Sequence, residues 1–135
     1  MKTLVTLLLI LSSTLEDTAE LNRIYKGVAE VESNSNPRAI GDGGKAFGIV
    51  QIHNIAVKDV NRLCGTNYKH RDAFNEEHAK NIFILYLSEG IKMFEDKYNR
   101  KPNEEEIVRM WNGGIYSGYR KETTKKYYKK YLKCL

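Results

Sequence analysis

The sequence predicts a single, mainly helical domain with at most a small β element beside a cleft. Apolar residues recur at helical spacing in one stretch after another. Helix-start signals precede several of those stretches. Only Phe47 to Ile52 is β-rich, and it is short. A chain of 135 residues suffices for one core, and no repeat or low-complexity linker marks a second domain.

The elements follow in order. Asp17-Thr-Ala-Glu20 has the spacing of a helix cap with a returning glutamate, ahead of Leu21, Ile24, Tyr25, Val28 and Val31. That helix should end between Ser33 and Pro37, because the residue before proline avoids helical geometry. Gly41, Gly43 and Gly44 then make a loop. Asn54 can cap a helix bearing Ile55, Val57, Val60 and Leu63, closed by Gly65. Asn75 can cap the longest one, where Ala79, Ile82, Phe83, Tyr86, Leu87, Ile91 and Phe94 form a core stripe. Pro102-Asn103 opens a helix with Glu104 to Glu106 in its first turn, where the dipole favours acids. It carries Ile107, Val108 and Trp111 and stops at Asn112-Gly113-Gly114. The last helix presents Tyr127, Tyr128, Tyr131 and Leu132 as its apolar residues.

Composition narrows the class. A hydrophobic fraction of 41% and a charged fraction of 29% are those of a globular protein, which excludes wholesale disorder. The net charge of +5 is unevenly placed: Arg120, Lys121, Lys125, Lys126, Lys129, Lys130 and Lys133 crowd the C-terminal end. Such a tail is either a solvated helix face or a docking surface for an anionic partner: nucleic acid, acidic lipid or cell-wall polymer. Residues 1–19 read as a leader, either a signal peptide or a membrane anchor, with residues 20–135 as the domain. Lys2 precedes the apolar run Leu4 to Leu11, then Ser12-Ser13-Thr14. The run is short of the about 20 residues that span a bilayer, so membrane contact through it is transient. Export to the periplasm, envelope or exterior follows as the expectation. Cys64 and Cys134 either pair or stay free. His53, Cys64, His70 and His78 lack zinc-site spacing, and no metal or cofactor is expected.

The chemistry-bearing stretch begins at Glu32, at the end of an apolar helix, and runs through the glycine loop to Gln51. A carboxyl screened by apolar neighbours has a raised pKa and stays protonated near neutral pH. That is the state needed to protonate a glycosidic oxygen. Glu30 lies as near the helix end, so position alone does not choose between the two.

Four blocks in order do choose: Glu32-Ser33-x-x-Asn36-Pro37-x-Ala39, Gly48-x-x-Gln51-Ile52, Trp111-Asn112-Gly113-Gly114, and Thr124-x-x-Tyr127. Together with Asn81-Ile82 and Tyr86-Leu87 they resemble the soluble lytic transglycosylase domain, from about Leu21 to Leu132. The resemblance implies a lysozyme-like fold and cleavage of the β-1,4 bond between N-acetylmuramic acid and N-acetylglucosamine. It implies peptidoglycan strands as the partner; the basic tail suits anionic wall polymers and no nucleic acid is expected, with a non-catalytic wall-binding or nucleic-acid-binding module as the lesser alternative.

By the same resemblance, Glu32 is the catalytic acid and base, and Ser33 holds the site's geometry. Gly48 admits substrate, and Gln51 binds an N-acetyl group or orients the acid. Asn112 faces the cleft, and the Tyr127 hydroxyl reaches toward Glu32. Gly48 also reads as a plain turn residue, Asn112-Gly113 as a helix stop and Tyr127 as a core aromatic. The family's Gly-Leu-Met-Gln is Gly-Ile-Val-Gln here, and its Tyr before Asn-Gly is Trp111.

The loop Gly41-Asp42-Gly43-Gly44-Lys45-Ala46-Phe47-Gly48 is similar to that of goose-type lysozymes, in which an aspartate at the place of Asp42 positions water. Their second aspartate falls at His53. A muramidase that hydrolyses the same bond is therefore the alternative, and Asp42 is otherwise a turn residue.

Overall fold

A computed structural model describes the backbone from residue 2 to 135 and the side chains from residue 16 onward. The described residues form five α-helices and a three-stranded antiparallel sheet: α1 (Lys2–Ser33), α2 (Asn54–Cys64), α3 (Glu76–Tyr98), α4 (Glu104–Gly113) and α5 (Thr124–Lys133). The strands are β1 (Ile40–Gly41), β2 (Ala46–Phe47) and β3 (Ile52–His53), in that spatial order. Ile40 pairs with Phe47, which pairs with Ile52, so the sheet is one narrow ribbon between α1 and α2. The predicted mainly helical class with a small β element holds.

The helix expected to start at Asp17 does not start there. α1 runs unbroken from Lys2, and Asp17 is an interior position whose carboxylate pairs with Lys101 at 3.3 Å. No glycine or proline interrupts Lys2 to Lys26, so nothing stops the helix from propagating through a local capping pattern. The leader prediction concerns residues 1–19; the side chains of 1–15 lie outside the described residues. Among the described residues no helix is long and apolar enough to cross a membrane.

α1 ends as expected, directly after Ser33. Asn34 and Ser35 both take left-handed backbone angles, at φ 55° and 58°. Their amides return to the carbonyls of Glu30 and Ala29, at 3.1 and 3.0 Å. The other helix signals fared well. Asn75 accepts from the His78 amide at 3.0 Å. Asn103 and Glu106 form a reciprocal capping box. Gly65 closes α2 in left-handed geometry, but the cap residue of α2 is His53, with Asn54 already inside the helix.

α3 runs through the middle of the molecule. Its Ala79, Ile82, Phe83, Tyr86, Leu87 and Phe94 are buried against Ile24 and Val28 of α1, Val57 and Val60 of α2, and Ile107, Val108 and Met110 of α4. Each fully buried side chain of this size stabilises the fold by roughly 1.5–3 kcal/mol. Two apolar residues of the predicted helices lie outside it: Ile55 is 69% exposed and Leu132 is 48% exposed. Cys64 and Cys134 are separate free thiols. Cys64 lies against the Glu89 carboxylate at 3.8 Å, and burial pushes its thiol pKa up.

Candidate active site

Glu32 stands in a cleft of about 410 Å³ where the end of α1, the turn before β3, the start of α2 and the end of α4 converge. The turn is fastened to the helix end by Ser33, whose hydroxyl donates to the Ile49 carbonyl at 2.7 Å. The Ser33 oxygen in turn accepts from the Asn36 amide at 3.0 Å. Ser33 therefore links α1, the following loop and the turn at the point where the acid emerges.

Burial is the main influence on Glu32 and raises its carboxyl from an ordinary 4.5 to about 7. The Tyr127 hydroxyl and the Lys130 ammonium, both carried by α5, pull it partly back. The Tyr127 oxygen is buried and its approach to Glu32 falls short of full hydrogen-bond geometry, although each group affects the other's ionisation. Burial and the Glu32 charge both push the phenol upward, so Tyr127 stays protonated. Glu30, the other acid near the helix end, is exposed and bonded to Ser35 at 2.7 Å.

Tyr127→Phe should therefore remove a group that favours the Glu32 carboxylate. The alkaline limb of the activity profile is expected to move to higher pH, and kcat to fall. An unmoved pH profile would make Tyr127 a packing residue only.

Gln51 lines the cleft but is more constrained than the sequence suggested. It sits at φ 55°, and its amide nitrogen donates to the carbonyls of Gly48 at 2.9 Å and Ala39 at 3.2 Å. Both amide hydrogens thus hold the turn, which leaves only the side-chain oxygen for a ligand.

Gly48 does not open the cleft to substrate. It takes φ 82°, and a Cβ there would overlap the Ala73 carbonyl oxygen, so its missing side chain admits the neighbouring backbone. This matches the plain reading of Gly48 as a turn residue. Of five non-glycine residues with positive φ among the described residues, Asn34, Ser35, Asp42 and Gln51 fall between the end of α1 and β3. Backbone strain is therefore concentrated around the acid.

Asn112 lies exposed at the end of α4 and lines the cleft. Trp111 beside it donates its indole N–H to the Val50 carbonyl at 3.2 Å and packs on Phe83 and Tyr86. The tryptophan thus ties α4 to the Gln51 turn. Asp42 is 65% exposed, and its carboxylate lies 3.5 Å from His53 Nε2. His53 lines the cleft, so Asp42 adjoins the site through that residue.

Some of the site was missed by sequence reasoning. Asp59 and Ile55 of α2, Tyr86 of α3 and Tyr116 after α4 all line the cleft. So does His53, which the sequence offered as a histidine without zinc-site spacing and as the place of an absent aspartate. Thr124 also gains a role. It accepts from the Nε of buried Arg109 at 2.8 Å, and its hydroxyl lies 2.8 Å from the carbonyls of Gly118 and Lys121. This buried knot fixes the start of α5 and thereby Tyr127. The Thr-x-x-Tyr spacing was the available signal.

A helical domain with a small sheet beside a cleft, and one carboxyl at the cleft held near neutral pKa, is a lysozyme-like arrangement that suits acid–base chemistry. More specifically, the chain belongs to the transglycosylase SLT domain family, whose model matches residues 12–133. The family implies lytic transglycosylase activity on peptidoglycan. Comparisons with curated proteins and with solved structures gave no match.

Proposed function

We propose that the protein cleaves the β-1,4 bond between N-acetylmuramic acid and N-acetylglucosamine as a lytic transglycosylase, with Glu32 as both acid and base. The observation that carries this reading is the raised pKa of Glu32, about 7, in the cleft of an SLT-family domain. Protonated Glu32 gives its proton to the glycosidic oxygen as the bond to the muramic C1 breaks. The C6 hydroxyl of the same muramic residue then attacks C1, and the Glu32 carboxylate takes the hydroxyl proton. A 1,6-anhydro ring closes, and Glu32 returns to its protonated form. No second carboxylate is required for this route, and no water enters the product.

Ser33 and Gln51 hold the turn against the acid, Asn112 offers its amide to the sugar, and Tyr127 supports the carboxylate form in the second step. The competing hydrolysis is favoured by one observation, the Asp42–His53 pair at the cleft's edge. Mass spectrometry of muropeptides after digestion tests the proposal. Anhydro-sugar ends are expected; reducing ends, heavier by one water, would mean hydrolysis.

The proposal extends to location and docking. Peptidoglycan lies outside the cytoplasmic membrane, so the protein works there, with residues 1–19 as its export leader. From Arg120 onward the chain carries seven basic residues against one acid, a net +6, so the rest of the chain is close to neutral within the total of +5. α5 buries Tyr127 and Tyr131 and exposes Lys125, Lys126, Lys129, Lys130 and Lys133. That face suits anionic wall polymer, and it sits on the helix that carries Tyr127 into the site.

A further inference from the structure

Tyr116 is a large apolar residue left 54% exposed, yet it is held in place. It follows α4 in the chain and lines the same cleft as Glu32. Arg62 of α2 donates from Nη2 to its hydroxyl at 2.7 Å, and the same nitrogen lies 3.1 Å from the Asp59 carboxylate. The bond spans 54 residues of sequence and ties one wall of the cleft to another. Tyr86 and Trp111 pack edge to face with ring centroids 5.7 Å apart. Among the described residues Tyr116 makes no such ring contact.

An exposed tyrosine with a free hydroxyl gains by laying its ring on nearby apolar surface. Here the hydroxyl is committed to Arg62, and Asp59 limits where Arg62 can go. The ring is thereby presented to the cleft with little freedom left to lose on binding. A pyranose carries axial C–H groups on its faces, which match an aromatic face in apolar character and in size. Ile55, also exposed at the cleft, extends the apolar surface.

We propose that Tyr116, braced by Arg62 and Asp59, is a stacking platform for a pyranose ring of the glycan strand. The inference rests on the glycan-cleaving reading and adds a binding subsite to it. The bland alternative is that the Arg62–Tyr116 bond merely ties α2 to the loop after α4. Substitutions separate the two: phenylalanine keeps the ring and loses the tie, whereas alanine loses both.

The test uses the full chain carrying Glu32→Gln, so that binding is read without turnover. Chitotetraose, a soluble β-1,4 oligosaccharide of N-acetylglucosamine, is titrated by calorimetry. Tyr116→Ala is expected to weaken binding about tenfold, and Tyr116→Phe by less than about threefold. Saturation transfer from aromatic protons to sugar C–H protons should persist in the phenylalanine variant and fade in the alanine variant. Equal binding by the parent and alanine proteins would overturn the platform, as would equal loss in the alanine and phenylalanine variants. Absence of binding to the parent would do the same. Failure of the catalytic reading would appear separately, as a wild-type protein that binds chitotetraose but releases nothing from cell wall.

Discussion

Glu32→Gln is expected to cut fragment release from labelled cell wall by about a thousandfold, with the fold retained. Glutamine is nearly isosteric but has no proton to give the glycosidic oxygen, and general acid–base catalysis contributes typically about 10²–10⁴-fold. The substitution should also change how stability depends on pH. The folded carboxyl titrates at about 7 against an ordinary 4.5, so between those values the folded state binds the extra proton. Stability at this position is therefore intact below about 4.5 and falls as pH rises through about 7. Denaturant titrations should show the variant gaining on the wild type between about pH 4 and about pH 8. Unchanged wall release in the variant would remove Glu32 from the mechanism. A pH-independent stability difference would mean that burial does not raise its pKa.

Gly48→Ala is expected to destabilise the protein by about 3 kcal/mol or more, lowering Tm by roughly 10 °C. Two costs add. An L-residue at φ 82° pays about 1–2 kcal/mol for left-handed geometry, and the new Cβ would overlap the Ala73 carbonyl oxygen. Displacing Ala73 would move the turn from His70 to Phe74, whose His70 ring stacks on Phe47 at 3.8 Å. Gly43→Ala is the matched control, since Gly43 has φ 62° but open space around its Cβ position. It should pay only the conformational cost. Equal losses in the two variants, read by thermal denaturation, would show that Gly48 has no close neighbour and serves only the turn.

The parts of this fold that were legible in the sequence depend on neighbouring residues. The caps at Asn75 and Asn103 are side chains bonding to amides three residues on, so spacing alone finds them. The α3 stripe is similar, because a long helix running through the core buries nearly all of that face, with Ile91 half-buried. The start of α1 was missed because a capping pattern competes with helix propagation, and nothing between Lys2 and Lys26 breaks the helix. Ile55 and Leu132 are apolar yet exposed, because periodicity marks an apolar face without saying where its packing partner ends. The site divides in the same way. Glu32, Ser33 and Asn112 sit at helix ends that the motif locates. Gln51 spends its amide on carbonyls that only the folded turn brings near it. Asp59 and Tyr116 reach the cleft only because the segment after α4 returns beside α2, an approach that no local pattern encodes.

In the proposed mechanism Glu32 passes one proton out and takes another back while the sugar's own hydroxyl closes the ring. Digestion of purified peptidoglycan in water enriched in heavy oxygen, followed by mass spectrometry of the released muropeptides, reads this directly. 1,6-Anhydromuramyl ends without label are expected. Reducing ends carrying the heavy oxygen would contradict this mechanism and would assign the attack to water beside the Asp42–His53 pair.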